Sequence, residues 1–151
     1  MQPIDYTKLS ESTKSLLQRA HSLARESRFD EVTTTLILIA MVQQSKEMLR
    51  FVLDKLNVDY QQFCTRLSGY IQNANRFHND NPQFSEQCNQ IIVKSIASYN
   101  EHHRGLVPPE AILLEMTSIN NEVSALFNEF HINKRRLSDA VETYSAGNRI
   151  S

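Results

Sequence analysis

The 151-residue sequence is poor in the residues that form tight turns, with only three glycines and four prolines. An all-β fold needs many such turns, and glycine and proline supply much of their special backbone geometry. Between residues 10 and 81 the chain has no proline and a single glycine, Gly69, which favours long helices. The shortage of both residues therefore predicts an all-α fold.

A large excess of charge and a long apolar run are also absent. The formal net charge is −1, so no overall positive field would attract nucleic acid or an anionic membrane surface. The longest apolar run spans residues 36–42, far short of the roughly 20 residues of a membrane-spanning helix. The N-terminal residues MQPIDYTKLSES have neither the basic start nor the apolar core of a signal peptide. We expect a cytoplasmic protein with no nucleic-acid and no membrane partner.

Motifs for catalysis or metal binding are missing from the sequence as well. Cys64 and Cys88 stand alone, without the CxxC spacing of a metal site or the density of a disulfide framework. His102 and His103 are adjacent, so a helix would point them about 100° apart, and no ligand residue lies four positions away. No glycine pair fits a phosphate-binding loop, and no serine lies in a nucleophile elbow. We therefore expect a binding module rather than an enzyme, with no catalytic residue, no metal and no cofactor.

What the sequence does contain is an internal repeat. The segment 9–11 (LSE) recurs as 84–86 (FSE), a shift of 75 positions from residue 10 to residue 85. A one-residue deletion then changes the shift to 74, which aligns 56–59 (LNVD) with 130–133 (FHIN). Chance similarity between helices would not also place the helix breaks in the same order, so the chain contains two copies of one unit. The first shift also pairs apolar positions: Leu16-Leu17 with Ile91-Ile92, Val32 with Val107, Ile37-Leu38 with Ile112-Leu113, and Met41 with Met116.

Each copy is predicted to form four helices. In the first copy, Ser10 suits the N-cap of the first helix because its hydroxyl can accept from the free N–H groups of the first turn. The second helix, about residues 34–43, is apolar on nearly all sides and belongs in the centre of the unit. The third covers about 46–56, and the fourth begins at Asp59, which forms a capping-box pattern with Gln62.

The second copy repeats this plan from Ser85. Its first helix should end before Gly105, and its second should start at Pro108-Pro109, where proline fits the first helical turn. Asn120 and Asn133 are the expected caps of its third and fourth helices.

These patterns predict a single domain over residues 1–151. Repeat one covers about 9–72, a linker loop 73–83, repeat two about 84–146, and a frayed tail 147–151. The helical periodicity assigns four side chains to the core: Leu16, Leu38, Ile91 and Leu113.

Two stretches at equivalent places in the repeat resemble a known family. Residues 32–42 read VTTTLILIAMV and residues 107–116 read VPPEAILLEM. Both are similar to the V-T-x-E-H-L-L-L-A-L-L pattern of the Clp N-terminal (Clp repeat) domain of the AAA+ unfoldases. The segment 56–59 (LNVD) resembles the L-x-V-D end of that family's third helix. The likeness covers about residues 8–146 and rests on a pattern together with a repeat.

The resemblance implies both a fold and a role. The fold would be one compact domain of two pseudo-twofold-related four-helix repeats, monomeric when isolated. The role would be to recruit unfolded or tagged protein substrates, or adaptor proteins, to a Clp ATPase ring, to which the domain is flexibly linked.

The resemblance also places candidate binding residues at three positions. In the family, a threonine or serine that opens the first helix lies in the substrate groove with an acidic residue of the second copy's V-x-x-E segment. By position these are Ser10 and Glu110. Members that bind phosphoarginine use a glutamate in both copies, whereas this chain has Thr35 in the first copy and so departs from two-site recognition. Leu36 and Ala111 likewise replace the family's histidines. A purely structural alternative also stands, with Ser10 as a helix cap and Glu110 as a favourable charge at a helix start.

Three other functions stay open on the sequence alone. Related domains on the unfoldases of type VI secretion engage a helix of the contractile sheath, and a grooved helical module can receive an amphipathic helix in this way. A helical nucleic-acid-binding regulator would use the basic cluster Lys134-Arg135-Arg136, although the near-neutral net charge argues against it. An enzyme of unknown type would need distant residues to converge in space.

Overall fold

The computed structural model describes residues 2–72 and 80–150, apart from the side chains of residues 72 and 148–150. In these residues the chain forms eight α-helices, four in each repeat, and the predicted all-α fold class is confirmed. Repeat one contains α1 (Glu11–Glu26), α2 (Thr34–Gln44), α3 (Lys46–Lys55) and α4 (Tyr60–Gln72). Repeat two contains α5 (Glu86–His102), α6 (Pro109–Glu115), α7 (Glu122–Glu129) and α8 (Lys134–Ile150). Short 3-10 turns cover Tyr6–Lys8 and Met116–Ser118.

Side-chain caps begin several of these helices, as the sequence predicts. The hydroxyls of Ser10 and Ser85 each accept a hydrogen bond, at 3.1 Å, from the backbone N–H three residues later. The Asp59 carboxylate and the Asn133 side-chain oxygen do the same at 2.9 Å for α4 and α8. These four bonds satisfy N–H groups that the start of a helix otherwise leaves without partners.

The predicted cap of α7 is wrong by one residue. Asn121, rather than Asn120, accepts hydrogen bonds from the N–H groups of Val123 and Ser124 at 2.9 and 3.2 Å. The Ser124 hydroxyl in turn accepts from the Asn121 N–H at 2.8 Å, which completes a capping box. Asn121 has this hydroxyl residue three positions later, whereas Asn120 has Val123 at that spacing. The sequence therefore contained the deciding signal.

The third helix of each repeat ends in the same way. Asn57 and His131 follow α3 and α7 with positive φ values of 58° and 59°. The N–H of the next residue, Val58 or Ile132, donates to the carbonyl five residues back at 2.9 or 2.8 Å. This bond belongs to the Schellman arrangement that closes a helix C-terminus. The matching ends agree with the shift of 74 positions between the two copies.

Within the described residues, two short backbone pairings connect the repeats, and the sequence pattern does not predict them. The strand β1 (Glu31–Val32) pairs in parallel with β2 (Gln83–Phe84). Leu9 forms an isolated parallel bridge with Val107. Each pairing is too short to produce the alternating hydrophobic pattern by which strands are recognised.

These pairings are reciprocal. The N–H of Ser10 donates to the Val107 carbonyl at 3.1 Å, and the N–H of Ser85 donates to the Val32 carbonyl at 3.0 Å. Since each residue lies 75 positions from its counterpart, the segment entering the first helix of one repeat pairs with the segment entering the second helix of the other. Such a mutual exchange is what a twofold relation requires.

Two predicted segment boundaries can be compared with the structure. The linker loop predicted at 73–83 lies mostly outside the described residues, and its last residue, Gln83, belongs to β2. The frayed tail predicted from residue 147 stays a prediction, although the helical backbone of α8 continues to Ile150. The ring of Tyr144 lies 5.4 Å from that of Phe51 in α3, so a tertiary contact holds α8 against repeat one at that residue.

One apolar core runs through both repeats. The four side chains assigned to the core, Leu16, Leu38, Ile91 and Leu113, are each at most 2% exposed. Phe63 of α4 is fully buried, and its ring centroid lies 5.5 Å from that of Phe130, just after α7. The repeats therefore bury apolar surface against each other. Among the helices in the described part of the chain, none combines the length and the apolar character that crossing a membrane requires.

Candidate functional site between the repeats

The bridge between Leu9 and Val107 places the start of α6 beside repeat one, and a cleft opens there. We call it the inter-repeat cleft, and its volume is about 450 Å³. Its lining consists of Ser12, Gln44, Ser45, Glu47 and Met48 from repeat one and of Tyr99, Pro108, Pro109, Glu110, Tyr144 and Ser145 from repeat two.

Glu110 is the buried charge of this lining. Its side chain lies in the first turn of α6, the residue is 7% exposed, and its Oε2 accepts a hydrogen bond from the Ser145 hydroxyl at 3.2 Å. Burial raises the pKa of the Glu110 carboxyl above its ordinary value, although its own backbone N–H and the Ser145 hydroxyl oppose the shift. A carboxylate with so little water around it gains from a ligand that brings a cation or an N–H donor.

Aromatic and apolar side chains supply much of the remaining surface. Tyr99 stacks on His103 with ring centroids 4.5 Å apart, and Tyr144 packs against Phe51, so each ring has a partner that restricts it. Met48 and two prolines add apolar surface. None of the lining residues that the structure describes is a lysine or an arginine. The inter-repeat cleft therefore suits a peptide segment that combines apolar side chains with a basic one.

Ser10 follows the bridge between Leu9 and Val107, next to the cleft, and is not part of the cleft lining. Its hydroxyl caps α1 and lies 2.9 Å from the hydroxyl of Thr13, which donates to the Val107 carbonyl at 2.8 Å. This geometry confirms the role of Ser10 as a helix cap. A second role in contacting a ligand stays a prediction.

Thr35 stands apart from the other two candidate binding residues. It is 3% exposed, and its hydroxyl donates a hydrogen bond to the Glu122 carboxylate of α7. Thr35 is not among the lining residues of the inter-repeat cleft. The structure thus brings Ser10 and Glu110 to one junction between the repeats and places Thr35 at another.

Of the lining residues, sequence reasoning proposed only Glu110 for binding, and four of those it missed are Glu47, Met48, Tyr99 and Tyr144. They belong to α3, α5 and α8, which meet only in the fold, so their spacing along the chain carries no motif. The repeat was the usable signal, because a twofold relation places the second helix of one copy against the other copy. With α6 placed in this way, the start of α3 becomes a candidate neighbour of Glu110.

Other candidate chemistry is limited over residues 2–72 and 80–150. No group of three or more His, Cys, Asp and Glu side chains there is arranged to hold a metal ion. Cys64 and Cys88 are free thiols, and burial raises the pKa of both, which disfavours the reactive thiolate. In the basic cluster that begins α8, Arg136 donates to the backbone carbonyls of His131 and Leu56 at 2.7 and 2.8 Å. Arg136, one of the three basic residues of that cluster, is therefore bonded within the fold.

Comparison with known proteins identifies similar sequences. A family model described as the Clp repeat (R) N-terminal domain matches residues 8–142. The chaperone protein ClpB of Staphylococcus aureus (strain COL) is 22% identical to this chain over 129 residues. That match covers 83% of this chain and 15% of the relative, so the chain spans a small part of the relative's length.

Solved structures share the fold. The N-terminal domain of Hsp104 from Candida albicans matches with a TM-score of 0.80 at 13% identity, over 89% of each chain. A ClpV N-domain, solved as a complex with a VipB peptide, matches with a TM-score of 0.69 at 21% identity. The second match covers 92% of this chain and 96% of the other. At such low identity the likeness concerns the path of the backbone.

Proposed function

Since the chain belongs to the family of Clp repeat N-terminal domains, we propose that it recruits unfolded or tagged protein segments, or adaptor proteins, to a Clp-type ATP-dependent unfoldase. The observation that carries this proposal is the inter-repeat cleft, whose lining combines the buried Glu110 carboxylate with two tyrosines. The ClpB relative, of which the chain matches 15%, supports an unfoldase as the partner.

The lining chemistry favours one kind of segment. A basic side chain would form charge-assisted hydrogen bonds with the Glu110 carboxylate, which are stronger than neutral ones. The faces of Tyr99 and Tyr144 attract cations as well, and the exposed Glu47 adds a second negative charge at the same cleft. Neighbouring apolar side chains of the segment would cover Met48 and the prolines. So few contacts give weak binding and little discrimination between sequences, as suits a module that delivers many substrates.

The proposal is tested with a defined peptide. The probe is a fluorescein-labelled, capped pentapeptide, Gly-Leu-Arg-Leu-Gly, titrated by fluorescence anisotropy at low salt. We expect Glu110→Gln, which keeps the shape and removes the charge, to raise Kd about tenfold, equivalent to about 1.4 kcal/mol. Glu101→Gln is the matched control, since it removes the same charge from an exposed carboxylate outside the cleft lining. Its Kd should equal that of the wild type.

Two results would count against the proposal. An unchanged Kd for Glu110→Gln would remove Glu110 from the site. A wild-type protein that binds neither this peptide nor an unfolded model protein would contradict the recruiting role itself.

The likeness to the ClpV N-domain solved with a VipB peptide favours one alternative partner, an amphipathic helix of a contractile sheath. The same assay separates the two, with a labelled VipB peptide as the second probe. If the VipB peptide binds at least tenfold more tightly than the arginine pentapeptide Gly-Leu-Arg-Leu-Gly, binding of a sheath helix is the preferred function.

A further inference from the structure

The twofold relation gives residues of the inter-repeat cleft counterparts on the other side of the interface. Helices α1 and α2 correspond to α5 and α6 at a shift of 75 positions, as the reciprocal strand pairings require. Helix α3 corresponds to α7 at a shift of 74, because this shift superimposes their buried positions. Those positions are Leu49, Val52 and Leu53 in α3 and Val123, Leu126 and Phe127 in α7.

The counterparts of five cleft residues are connected by hydrogen bonds. The cleft residues Ser12, Glu47, Met48, Pro109 and Glu110 correspond in that order to Gln87, Asn121, Glu122, Thr34 and Thr35. We call the second set the polar bridge. Within it, the Thr35 hydroxyl donates to the Glu122 carboxylate, and the Asn121 amide donates to the Thr34 hydroxyl and to the Gln87 side-chain oxygen, both at 3.4 Å.

Two of these three bonds cannot form between the corresponding pairs on the cleft side, and in the third pair the Ser12 hydroxyl lies 3.1 Å from the Ser10 hydroxyl instead. The counterpart of the bond between Thr35 and Glu122 would join Glu110 to Met48, and a thioether has no hydrogen to donate to a carboxylate. Glu47 replaces the donating amide of Asn121 with a carboxylate, which only accepts. Pro109 replaces the accepting hydroxyl of Thr34 with a ring that has no polar atom. Side-chain hydrogen bonds therefore connect α7 to α2 and α5. The corresponding helices on the cleft side, α3, α6 and α1, lack these connections.

We infer that the polar bridge closes a latent second cleft, equivalent by twofold symmetry to the inter-repeat cleft, so that the native domain takes one peptide segment instead of two. This inference rests on the proposed function for the nature of the occupant, a segment with a basic side chain. The closed side already holds a carboxylate, that of Glu122, which is engaged by Thr35. Exchanging the chemistry of these pairs between the two sides should therefore move the binding site.

The experiment exchanges the pairs. The double variant Glu110→Thr/Met48→Glu gives the inter-repeat cleft the hydrogen-bonding pair of the polar bridge and should raise Kd for the arginine pentapeptide at least tenfold. Adding Thr35→Glu/Glu122→Met gives the bridge side the open pair of the cleft. We expect the fourfold variant to recover a Kd within about threefold of the wild type, because the open pair of the cleft then stands at the equivalent place on the other side. Thr35→Glu/Glu122→Met alone should bind two peptides per chain.

The outcomes separate the two proposals. If the wild type binds and the fourfold variant stays as weak as the first double variant, the latent cleft is refuted while the proposed function stands. If neither the wild type nor the Thr35→Glu/Glu122→Met variant binds the peptide, both the latent cleft and the proposed function are refuted.

Each variant is first checked for a single cooperative thermal transition. If Glu110→Thr/Met48→Glu does not fold, Glu110→Gln serves as the weakened background, and recovery on adding the other pair is still required.

Discussion

Repeat one and repeat two share their helix order, their serine caps and the Schellman ends of their third helices, yet their sides of the interface differ in chemistry. At the start of α6, Glu110 lines a cleft, whereas at the start of α2 Thr35 is bonded to Glu122 of the other repeat. The backbone pairings that bring these helix starts to the interface are equivalent, at 3.1 and 3.0 Å. The difference therefore lies in a few side chains. A duplicated scaffold can keep its packing symmetric while a surface built on it becomes one-sided.

The largest effect should come from the core that the repeats share. We expect Leu38→Ala and its counterpart Leu113→Ala, at 0% and 2% exposure, each to lower the free energy of unfolding by about 3–5 kcal/mol, through lost burial and the cavity left behind. Because Phe63 joins the two halves of the core, each variant should still unfold in one transition, measured by urea denaturation followed by circular dichroism.

A matched control lies on the surface. Leu106→Ala truncates a side chain that is 50% exposed and should change the free energy of unfolding by less than about 0.5 kcal/mol. Two separate transitions in Leu113→Ala would show that the repeats fold independently, and the comparison between them would then concern two domains.

The helices could be predicted because their signals are local. A cap such as Ser85 or Asp59 acts within three residues, and the apolar spacing that follows it reports the buried face of the same helix. The two-residue strand pairings could not be predicted, since nothing in residues 31–32 specifies residues 83–84 as partners. The contact between Tyr144 of α8 and Phe51 could not be predicted for the same reason, because Phe51 belongs to the other repeat.

In the candidate site, too, residues within a local motif could be predicted and residues brought together by the fold could not. Glu110 could be placed from the family pattern, because its position within a short motif is enough to find it. Glu47, Met48 and Tyr99 could not, because the inter-repeat cleft joins helices from both repeats. The bond from Thr35 to Glu122 spans the interface too, so the sequence pattern could not show that the Thr35 hydroxyl has a partner in the other repeat. A ligand role for Thr35 stays a prediction.

An intermediate effect is expected at the two serine caps. Ser10→Ala and Ser85→Ala should each cost about 1 kcal/mol, because each removes the acceptor of a first-turn N–H group. Ser10→Ala should cost more, since the Ser10 hydroxyl also contacts the Thr13 hydroxyl at 2.9 Å, whereas the counterpart of Thr13 is Cys88. Urea denaturation of both variants measures the difference. Peptide titration adds a second comparison, because a loss of binding in Ser10→Ala without one in Ser85→Ala would give Ser10 the ligand role that its cap geometry does not require.

The smallest effect, and the one that depends on pH, is expected for Glu110→Gln without any ligand. Burial holds the pKa of Glu110 above its ordinary value, so the folded state keeps this proton more tightly than the unfolded state does. The resulting stabilisation is fully present below the ordinary glutamate pKa of about 4.3 and is lost as pH rises through the higher folded value. Above that value the wild type carries a buried carboxylate that the glutamine variant lacks, so Glu110→Gln should be the more stable protein at pH 7 and the difference should vanish near pH 4.

Thermal unfolding across this range measures the difference in stability, with Glu101→Gln as the exposed control. If Glu110→Gln is instead less stable at pH 7, the carboxylate is already stabilised by the groups around it. The open side of the interface would then be electrostatically as satisfied as the bridged one.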